Sequence, residues 1–288
     1  MSFELHEVGF RHRTARPGDR DALAGVTAAF PAGAVSAVLG ISGSGKTTLL
    51  NLLGRLWDGP PTTGRITYTG RNGGDYADLT PSAAGRLRRE HFGFVLQSAF
   101  LIGHLTCAEN IGVPLVLNRV RDADFRIRGL LMRAEMEHLA SRPARRMSGG
   151  ERQRAAVLRA VVHDPDILFA DEPFSNLDPH STDRVIDLFR AWQAGDLSPQ
   201  KNAHPRTLIL VTHDLPTAWG LVVPPDHLRH STWRSGGFLL LRAGLPVRVG
   251  TADTSDALIP PEAIPGGHAE LRRLIMPSPN QSPAEGRP

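Results

Sequence analysis

The segment Gly40-Ile41-Ser42-Gly43-Ser44-Gly45-Lys46-Thr47, with Thr48 after it, constrains the fold of this 288-residue chain more than any other. It fits the pattern G-x-x-x-x-G-K-[ST], which needs a strand before it and a helix after it. Both are predicted, because VSAVLG is a short apolar run and TTLLNLLGRLW has leucines at helical spacing. Glycines turn backbone N–H groups toward one anion, and a helix N-terminus adds partial positive charge. The segment therefore predicts a phosphate-binding loop, with the Lys46 ammonium beside the phosphates and the Thr47 hydroxyl available to Mg²⁺.

Strand and helix patterns alternate along the rest of the chain. FGFVLQ, DILFADEP and TLILVTHD read as buried strands, whereas SAAGRLRREH, GGERQRAAVLRAVVH and TDRVIDLFRAWQ read as helices. In LTCAENIGVPL, Thr106 and Glu109 have the spacing of a capping box at a helix start. The alternation predicts an α/β fold with a largely parallel core sheet.

Composition limits the class of binding partner and the compartment of the protein but does not identify the partner. The formal net charge of +4 and the isoelectric point of about 9.9 favour nucleotides, anionic lipid or nucleic acid without selecting among them. The single cysteine, Cys107, cannot form an internal disulfide, so nothing requires an oxidising compartment. No uncharged apolar run reaches about 18 residues, and the opening MSFELHEVGFRHR has no apolar stretch, so we expect neither a membrane span nor a signal peptide.

Two acids follow the apolar run ILFA, namely Asp171 and Glu172. Sites in parallel sheets gather at the carboxyl ends of the strands. Asp171 suits the oxygen shell of Mg²⁺, and Glu172 could polarise an attacking water as a general base.

A second anion-binding pattern, MSGGERQR, places Ser148, Gly149 and Gly150 at the start of a predicted helix. A chain with two such sites and one catalytic acid suggests that the sites meet across a dimer.

With these residues in order, the chain resembles the ATP-binding cassette (ABC) family of ATPases. The resemblance covers about residues 3–220, more loosely to about 250, and SGG before a helix is its most specific element. The matching motifs, in family order, are GISGSGKT, Gln97 in FVLQ, MSGGERQR, ILFADEP, SNLD and His213 in VTHD.

The resemblance implies a role for each matching position. Gly40 to Thr48 cradle the phosphates of ATP, while Thr47, Gln97 and Asp171 serve Mg²⁺. Glu172 is the catalytic base, and His213 contacts the γ-phosphate and holds the base and water in place. Ser148, Gly149 and Gly150 contact the ATP of the opposite subunit, and Asp178 helps the subunits communicate. The family also has an aromatic residue that stacks on adenine, for which Phe10 is the candidate; the alternative is a core phenylalanine of the first strand.

The implied architecture is α/β, a P-loop NTPase of ABC type with a mostly parallel core sheet, an antiparallel β subdomain and a helical subdomain at about 99–160. We expect the ATPase domain to span 1–250 and a proline-rich, partly disordered tail to span 251–288. Two stretches, 196–205 and 221–237, have no motif counterpart, and the second lacks periodicity. Glu151 stands where many members have glutamine.

The stretch around FGFVLQSAFLIGHLTCAENIGVPL is similar to the lipoprotein-releasing, macrolide-exporting and cell-division group of bacterial ABC subunits. In transporting members, the groove after the glutamine receives a helix of the membrane subunit. The contact candidates are then Phe100, Leu101, Ile102 and Leu105, and the alternative is that they pack the helical subdomain.

The leading hypothesis is an energy-coupling subunit at the cytoplasmic face of a membrane. Two copies, or a pseudo-dimer, close on ATP, reopen after hydrolysis and drive a separate integral membrane permease; mechanotransmission without transport stays open. The alternative is a soluble ABC ATPase acting on nucleic acid or ribosomes, but the coiled coils, zinc modules or second cassette usual in that class are not in the sequence. We therefore expect no nucleic-acid partner. A non-hydrolysing module would lack Glu172 or His213, and both are present.

Overall fold

The computed structural model describes residues 1–16, 18–57, 59–70, 73–198, 204–223 and 234–246, together with 258–259, 264, 269 and 271–273. Within these ranges the strands are β1 (Ser2–Phe10), β2 (Leu23–Phe30), β3 (Ala34–Leu39), β4 (Thr63–Thr69), β5 (Gly74–Asp75), β6 (Phe92–Val95), β7 (Ile167–Asp171), β8 (Thr207–Thr212), β9 (Arg234–Arg242), β10 (Leu245–Pro246) and β11 (Leu258–Ile259). The α-helices are α1 (Lys46–Leu53), α2 (Pro81–His91), α3 (Cys107–Leu117), α4 (Ala123–Arg133), α5 (Gly149–Val161), α6 (Pro179–Ala194) and α7 (Leu215–Val222).

The larger sheet places the functional segments side by side. Its strand order is β10-β9-β3-β8-β7-β6, with β11 also paired to β9. The five strands from β9 to β6 run parallel, and β3, β7 and β8 are buried at every position, as expected for strands covered on both faces. Leu39 pairs with Thr212, and Asp171 pairs with Val211. The phosphate loop, the acid pair and the histidine therefore all lie at the carboxyl ends of neighbouring parallel strands.

The smaller sheet is antiparallel, with strand order β2-β1-β4-β5. Phe3 and Leu5 of β1 and Leu49 of α1 belong to one core cluster with Phe169 of the larger sheet. Tyr76 is fully buried, and its hydroxyl donates a hydrogen bond to the carbonyl of Leu53 at the end of α1. The smaller sheet thus braces the helix that begins at the phosphate loop. The two sheets confirm the predicted α/β class with its antiparallel part.

Helices α3, α4 and α5 share a second core cluster. The predicted capping box is present, because the Glu109 carboxylate accepts from the Thr106 N–H while the Thr106 hydroxyl accepts from the Glu109 N–H. Cys107 is fully buried at the start of α3, and burial raises the pKa of its thiol to about 11. The limits 99–160 for a helical subdomain and 1–250 for the whole domain stay predictions.

The prediction that residues 221–237 form an irregular stretch without periodicity is wrong at both ends of that stretch. Residues 221 and 222 belong to α7, and residues 234–237 begin β9, which pairs with β3, so the stretch 221–237 is not irregular throughout. Gly236 explains why the strand pattern is hard to read, since a Cβ at this position would overlap the Val35 carbonyl. Residues 199–203, 224–233 and most of the predicted tail lie outside the described residues. Among those that are described, no helix is long and apolar enough to cross a membrane.

Candidate active site

The phosphate loop connects β3 to α1 with an open helix N-terminus. α1 begins at Lys46, and its N-cap, Gly45, provides no side-chain cap, so the first N–H groups of the helix are left for another acceptor. Gly43 and Gly45 have φ angles of 76° and 97°, a left-handed conformation that favours glycine. A Cβ at Gly45 would also overlap the carbonyl oxygen of Ala22. Backbone geometry alone thus requires the glycines and turns N–H groups toward an anion.

Residues 43–48 line a cavity of about 290 Å³ together with His12 and Ala22. The hydroxyl of Ser44 is buried and has no hydrogen-bond partner among the described residues. The Lys46 ammonium donates to the carbonyl oxygens of Gly40 at 2.8 Å and Ile41 at 3.0 Å. Burial lowers the pKa of Lys46, and the nearby negative charges of Glu172 and Asp171 act in the opposite direction. An orphaned hydroxyl, a bare helix start and a cation held only by neutral carbonyls fit a triphosphate.

Thr47 and Asp171 supply oxygen atoms of the kind that Mg²⁺ prefers. The Thr47 hydroxyl donates to Oδ1 of Asp171 at 3.3 Å. Asp171 ends β7 and is 6% exposed. Burial raises the pKa of its carboxyl, and the charge of Glu172 adds to this, whereas the Thr47 hydroxyl and Lys46 lower it. Within the described residues no group of three or more His, Cys, Asp or Glu side chains is arranged around a metal position, so Mg²⁺ here would take its other ligands from phosphates and water.

Glu172 is held by the neighbouring strand β8. Its Oε2 atom lies 2.9 Å from Nδ1 of His213 and accepts from the Thr212 hydroxyl at 3.2 Å. The backbone of Glu172 has a φ of 45°, which is strained for a non-glycine residue, and its N–H donates to the carbonyl of Val211 at 2.8 Å. Both contacts use Oε2, so Oε1 takes part in neither.

The Ser148-Gly149-Gly150 segment forms the start of α5. Ser148 is the N-cap, and Glu151 completes a capping box, with its Oε2 accepting from the Ser148 N–H at 2.7 Å. The capping box satisfies the N–H groups of Ser148 and Glu151 and leaves those of Gly149 and Gly150 without intrahelical partners. A Cβ at Gly150 would stand 2.5 Å from Oγ of Ser181, so glycine also allows α5 to approach α6.

Gln97 and Asp178 lie apart from the phosphate loop. Gln97 is exposed just after β6 and lines a cavity with Gly149, Gln153 and Asn176, and this cavity shares no lining residue with that of the phosphate loop. Asp178 is the N-cap of α6, and its Oδ2 accepts from the Ser181 hydroxyl at 2.6 Å. The structure therefore divides the predicted site residues into two half-sites, one around the phosphate loop and one around the start of α5.

The predicted adenine-stacking residue, Phe10, is engaged elsewhere. Its ring stacks on Trp57, with centroids 5.3 Å apart and planes inclined by 26°, and it packs against the core cluster of the smaller sheet. His12 lines the phosphate-loop cavity instead, and its ring contacts both Phe10 and Trp57 edge-on. These contacts are compatible with the alternative stated for Phe10, and its stacking on adenine stays a prediction.

Sequence reasoning missed three side chains of the site: His12, Thr212 and Gln153. Thr212 could have been found, because it ends a buried strand directly before His213. Gln153 donates to the carbonyl of Pro173 at 2.9 Å, a tertiary contact with no sequence signal. His12 depends on how β1 ends beside the loop, which sequence spacing does not show.

Comparison with known proteins agrees with this geometry. A family model described as ABC transporter matches residues 23–175. The macrolide export ATP-binding/permease protein MacB of Salmonella typhimurium is 38% identical over 185 residues, which are 64% of this chain and 26% of that protein. MacB of Syntrophobacter fumaroxidans is 38% identical over 218 residues, 73% of this chain and 28% of the relative. The chain thus spans about a quarter of the length of the curated relatives it matches.

Solved structures give the same result. The dimeric ATP-binding cassette MJ0796, in a post-hydrolysis state bound to ADP and phosphate, superposes with a TM-score of 0.69 at 28% identity, covering 85% of this chain and 97% of that chain. The protein cbiO1 of Clostridium perfringens, part of the ABC transporter complex cbiONQ, superposes with a TM-score of 0.67 at 22% identity, covering 85% and 86% of the two chains, and shows the fold alone.

Proposed function

The chain belongs to the ABC transporter family and is an ATP-binding ATPase, and we propose that two copies of it enclose two ATP molecules and drive a membrane permease. The observation that supports a dimer is the separation of the two half-sites within one chain. The phosphate loop and the start of α5 line different cavities of one chain, and both are anion-binding geometries. Each half-site is completed when the start of α5 of one copy faces the phosphate loop of another.

The chemistry follows from what each side chain can do. Lys46 and the open start of α1 bind the β- and γ-phosphates and stabilise charge that develops on them. The free oxygen of Glu172 accepts a proton from the attacking water, and His213 and Thr212 fix the direction of that carboxylate through its other oxygen. The N–H groups of Gly149 and Gly150 of the second copy close the site from the other side.

Mg²⁺, held through Thr47, Asp171 and Gln97, would neutralise phosphate charge and keep the β- and γ-oxygens in position. Thr47 and Asp171 are already hydrogen-bonded to each other. Gln97 lies beside the other cavity, so its part in metal binding requires the segment that follows β6 to move toward the phosphate loop when ATP binds.

Two exposed apolar side chains support a membrane partner. Of the four predicted contact residues, Phe100 is 68% and Ile102 is 41% exposed. Leu101 packs against the core, and Leu105 lines an apolar cavity between α3 and α4. The curated relatives are named ATP-binding/permease proteins, and we propose that this chain serves an equivalent membrane part from the cytoplasmic face.

Co-purification tests the membrane proposal. A tagged wild-type chain and a Phe100→Ser, Ile102→Ser variant are expressed in their native host, and the detergent-solubilised membrane fraction is captured. We expect the wild type to retain an integral membrane protein and the variant to lose it, with ATP binding unchanged in both. A wild-type chain that stays alone in the soluble fraction, or that is captured with DNA or ribosomes, would refute this proposal.

A further inference from the structure

We propose that Arg159 is a positioning residue that joins the segment after Gln97 to α5, so that the parts of one chain serving two different ATP sites move together. The proposal rests on the proposed function, because Gln97 belongs to the chain's own ATP site and Gly149 to that of the second copy.

Arg159 of α5 makes two short hydrogen bonds to the segment after Gln97. Its Nη2 donates to the carbonyl of Ala99 at 2.8 Å, and its Nη1 donates to the carbonyl of Phe100 at 2.8 Å. The planar guanidinium presents two nitrogen atoms in a fixed fork, one for each carbonyl, and the single ammonium nitrogen of a lysine does not reproduce that geometry. Burial lowers the pKa of Arg159, and among the described residues no carboxylate forms an ion pair with it. The two carbonyls are thus its partners, and its position is determined by the loop.

The loop that receives these bonds is held in an unusual conformation. Phe100 has a φ of 44°, a left-handed backbone that costs energy for a phenylalanine. Its side chain is 68% exposed, so core packing does not hold it. Among the hydrogen bonds of the described residues, the two from Arg159 are those that attach Ala99 and Phe100 to α5.

The far end of the same segment is attached by other residues. The fully buried Asn110 accepts from the Ile102 N–H at 2.7 Å through Oδ1 and donates to the Thr106 carbonyl at 2.9 Å. The Ala144 N–H, four residues before Ser148, donates to the Leu105 carbonyl at 2.9 Å. Arg159 therefore controls the end of the segment nearest Gln97, whereas Asn110 and Ala144 control the end nearest α3.

One rigid element connects the two ends of the proposed coupling. Arg159 and Gly149 are ten residues apart on α5, which corresponds to about 15 Å of helix. Gln153 on the same helix donates to the Pro173 carbonyl, next to Glu172. A shift of Gln97 on ATP binding would thus be transmitted by Arg159 to α5 and would change the orientation of the α5 N-terminus. Conversely, a shift of α5 would displace Gln97.

Arg159→Lys tests this coupling, because lysine keeps the charge but lacks the fixed fork of two nitrogen atoms that holds both carbonyls. We expect kcat for MgATP to fall by tenfold or more, while KM and the affinity of the chain for a fluorescent ATP analogue change by less than twofold. In a Glu172→Gln background, the ATP concentration needed for half-maximal dimer, measured by size-exclusion chromatography with light scattering, should rise at least fivefold.

Arg206→Lys is the matched control. Arg206 is buried, whereas Arg159 is half-buried, and it also forms two bonds, from Nε and Nη2 to Oδ1 of Asp164 at 3.2 and 3.0 Å, but it lies before β8, away from the site. We expect it to lower the melting temperature at least as much as Arg159→Lys while kcat stays within twofold of the wild type.

The outcomes separate the two proposals. If the wild-type chain does not bind MgATP or its Glu172→Gln variant does not dimerise, the proposed function fails. If both occur and Arg159→Lys keeps at least half of the wild-type kcat, or loses affinity for the ATP analogue as strongly as it loses kcat, the role of Arg159 is structural and the coupling is refuted.

Should Arg159→Lys not fold, hydrogen–deuterium exchange on the wild type decides. On MgATP addition, peptides covering 98–102 and 154–160 should change exchange at the same ATP concentration and to a similar extent. A change in one without the other would overturn the proposal.

Discussion

The Glu172 side chain holds His213 and Thr212 and is also the proposed proton acceptor, and replacing it with glutamine separates these two roles. In the wild type, Oε2 takes the contacts of His213 Nδ1 at 2.9 Å and Thr212 Oγ1 at 3.2 Å. A glutamine whose carbonyl oxygen occupies the Oε2 position keeps both contacts and puts an NH₂ group where Oε1 was. The fold and the orientation of His213 are then retained, and only the proton acceptor is lost.

The expected magnitude follows from what remains. General-base catalysis contributes about 10²–10⁴-fold, equivalent to about 3–5 kcal/mol of barrier. Lys46, the start of α1 and the α5 N-terminus are unchanged, so charge stabilisation persists, and we expect kcat to fall about 10²–10³-fold. ATP affinity should not fall, because the substitution removes a negative charge near the γ-phosphate position.

Phosphate release at saturating MgATP measures kcat, and size-exclusion chromatography with light scattering measures the dimer. We expect Glu172→Gln to accumulate as an ATP-bound dimer while the wild type turns over. Glu135→Gln is the control: Glu135 also has a left-handed backbone (φ 55°) and also contacts a basic side chain, with its Oε2 2.7 Å from Nη1 of Arg184. The control should hydrolyse ATP at the wild-type rate. A Glu172→Gln variant that retains more than a third of the wild-type kcat would show that another group accepts the proton.

Three further substitutions test other parts of the site. Lys46→Ala should weaken binding of a fluorescent ATP analogue at least tenfold, because the phosphates lose their point charge, and undiminished binding would contradict the phosphate-loop assignment. Asp171→Asn should abolish Mg²⁺-dependent hydrolysis yet leave the melting temperature equal or higher, because burial raises the pKa of Asp171 and so disfavours its charged form in the folded protein; a clear loss of stability by scanning fluorimetry would contradict this. His12→Ala should raise KM for ATP several-fold more than Phe10→Leu, because His12 lines the phosphate-loop cavity, and the opposite order would favour Phe10 as the base-contacting residue.

Much of the site was predictable because it depends on the ends of buried strands. The run VSAVLG before Gly40 and the run ILFA before Asp171 each predict a parallel strand, and parallel strands bring their carboxyl ends to one edge. The positions of Lys46, Glu172 and His213 beside one another follow from that rule. Thr47, which bonds Asp171, and Thr212, which bonds Glu172, are the chain neighbours of Lys46 and His213.

The parts that escaped prediction depend on approaches between distant segments. The β9 strand was not predicted from its first residue, because Gly236 serves a close approach to Val35 and interrupts the strand pattern. Arg159 looks like one more charge on a mixed helix face, and only the folded loop shows that it reaches Ala99 and Phe100. The position of the His12 ring likewise depends on its contact with Trp57, which is remote in sequence.

The burial of Cys107 has a practical consequence for measuring motion between two copies. It is the only thiol of the chain, and with a pKa of about 11 almost none of it is in the reactive thiolate form at neutral pH. A cysteine introduced at an exposed position such as Phe125, which is 79% exposed on α4, should therefore react alone with a maleimide dye. Fluorescence energy transfer between two labelled copies could then follow closure and reopening in real time, with the native cysteine left in place.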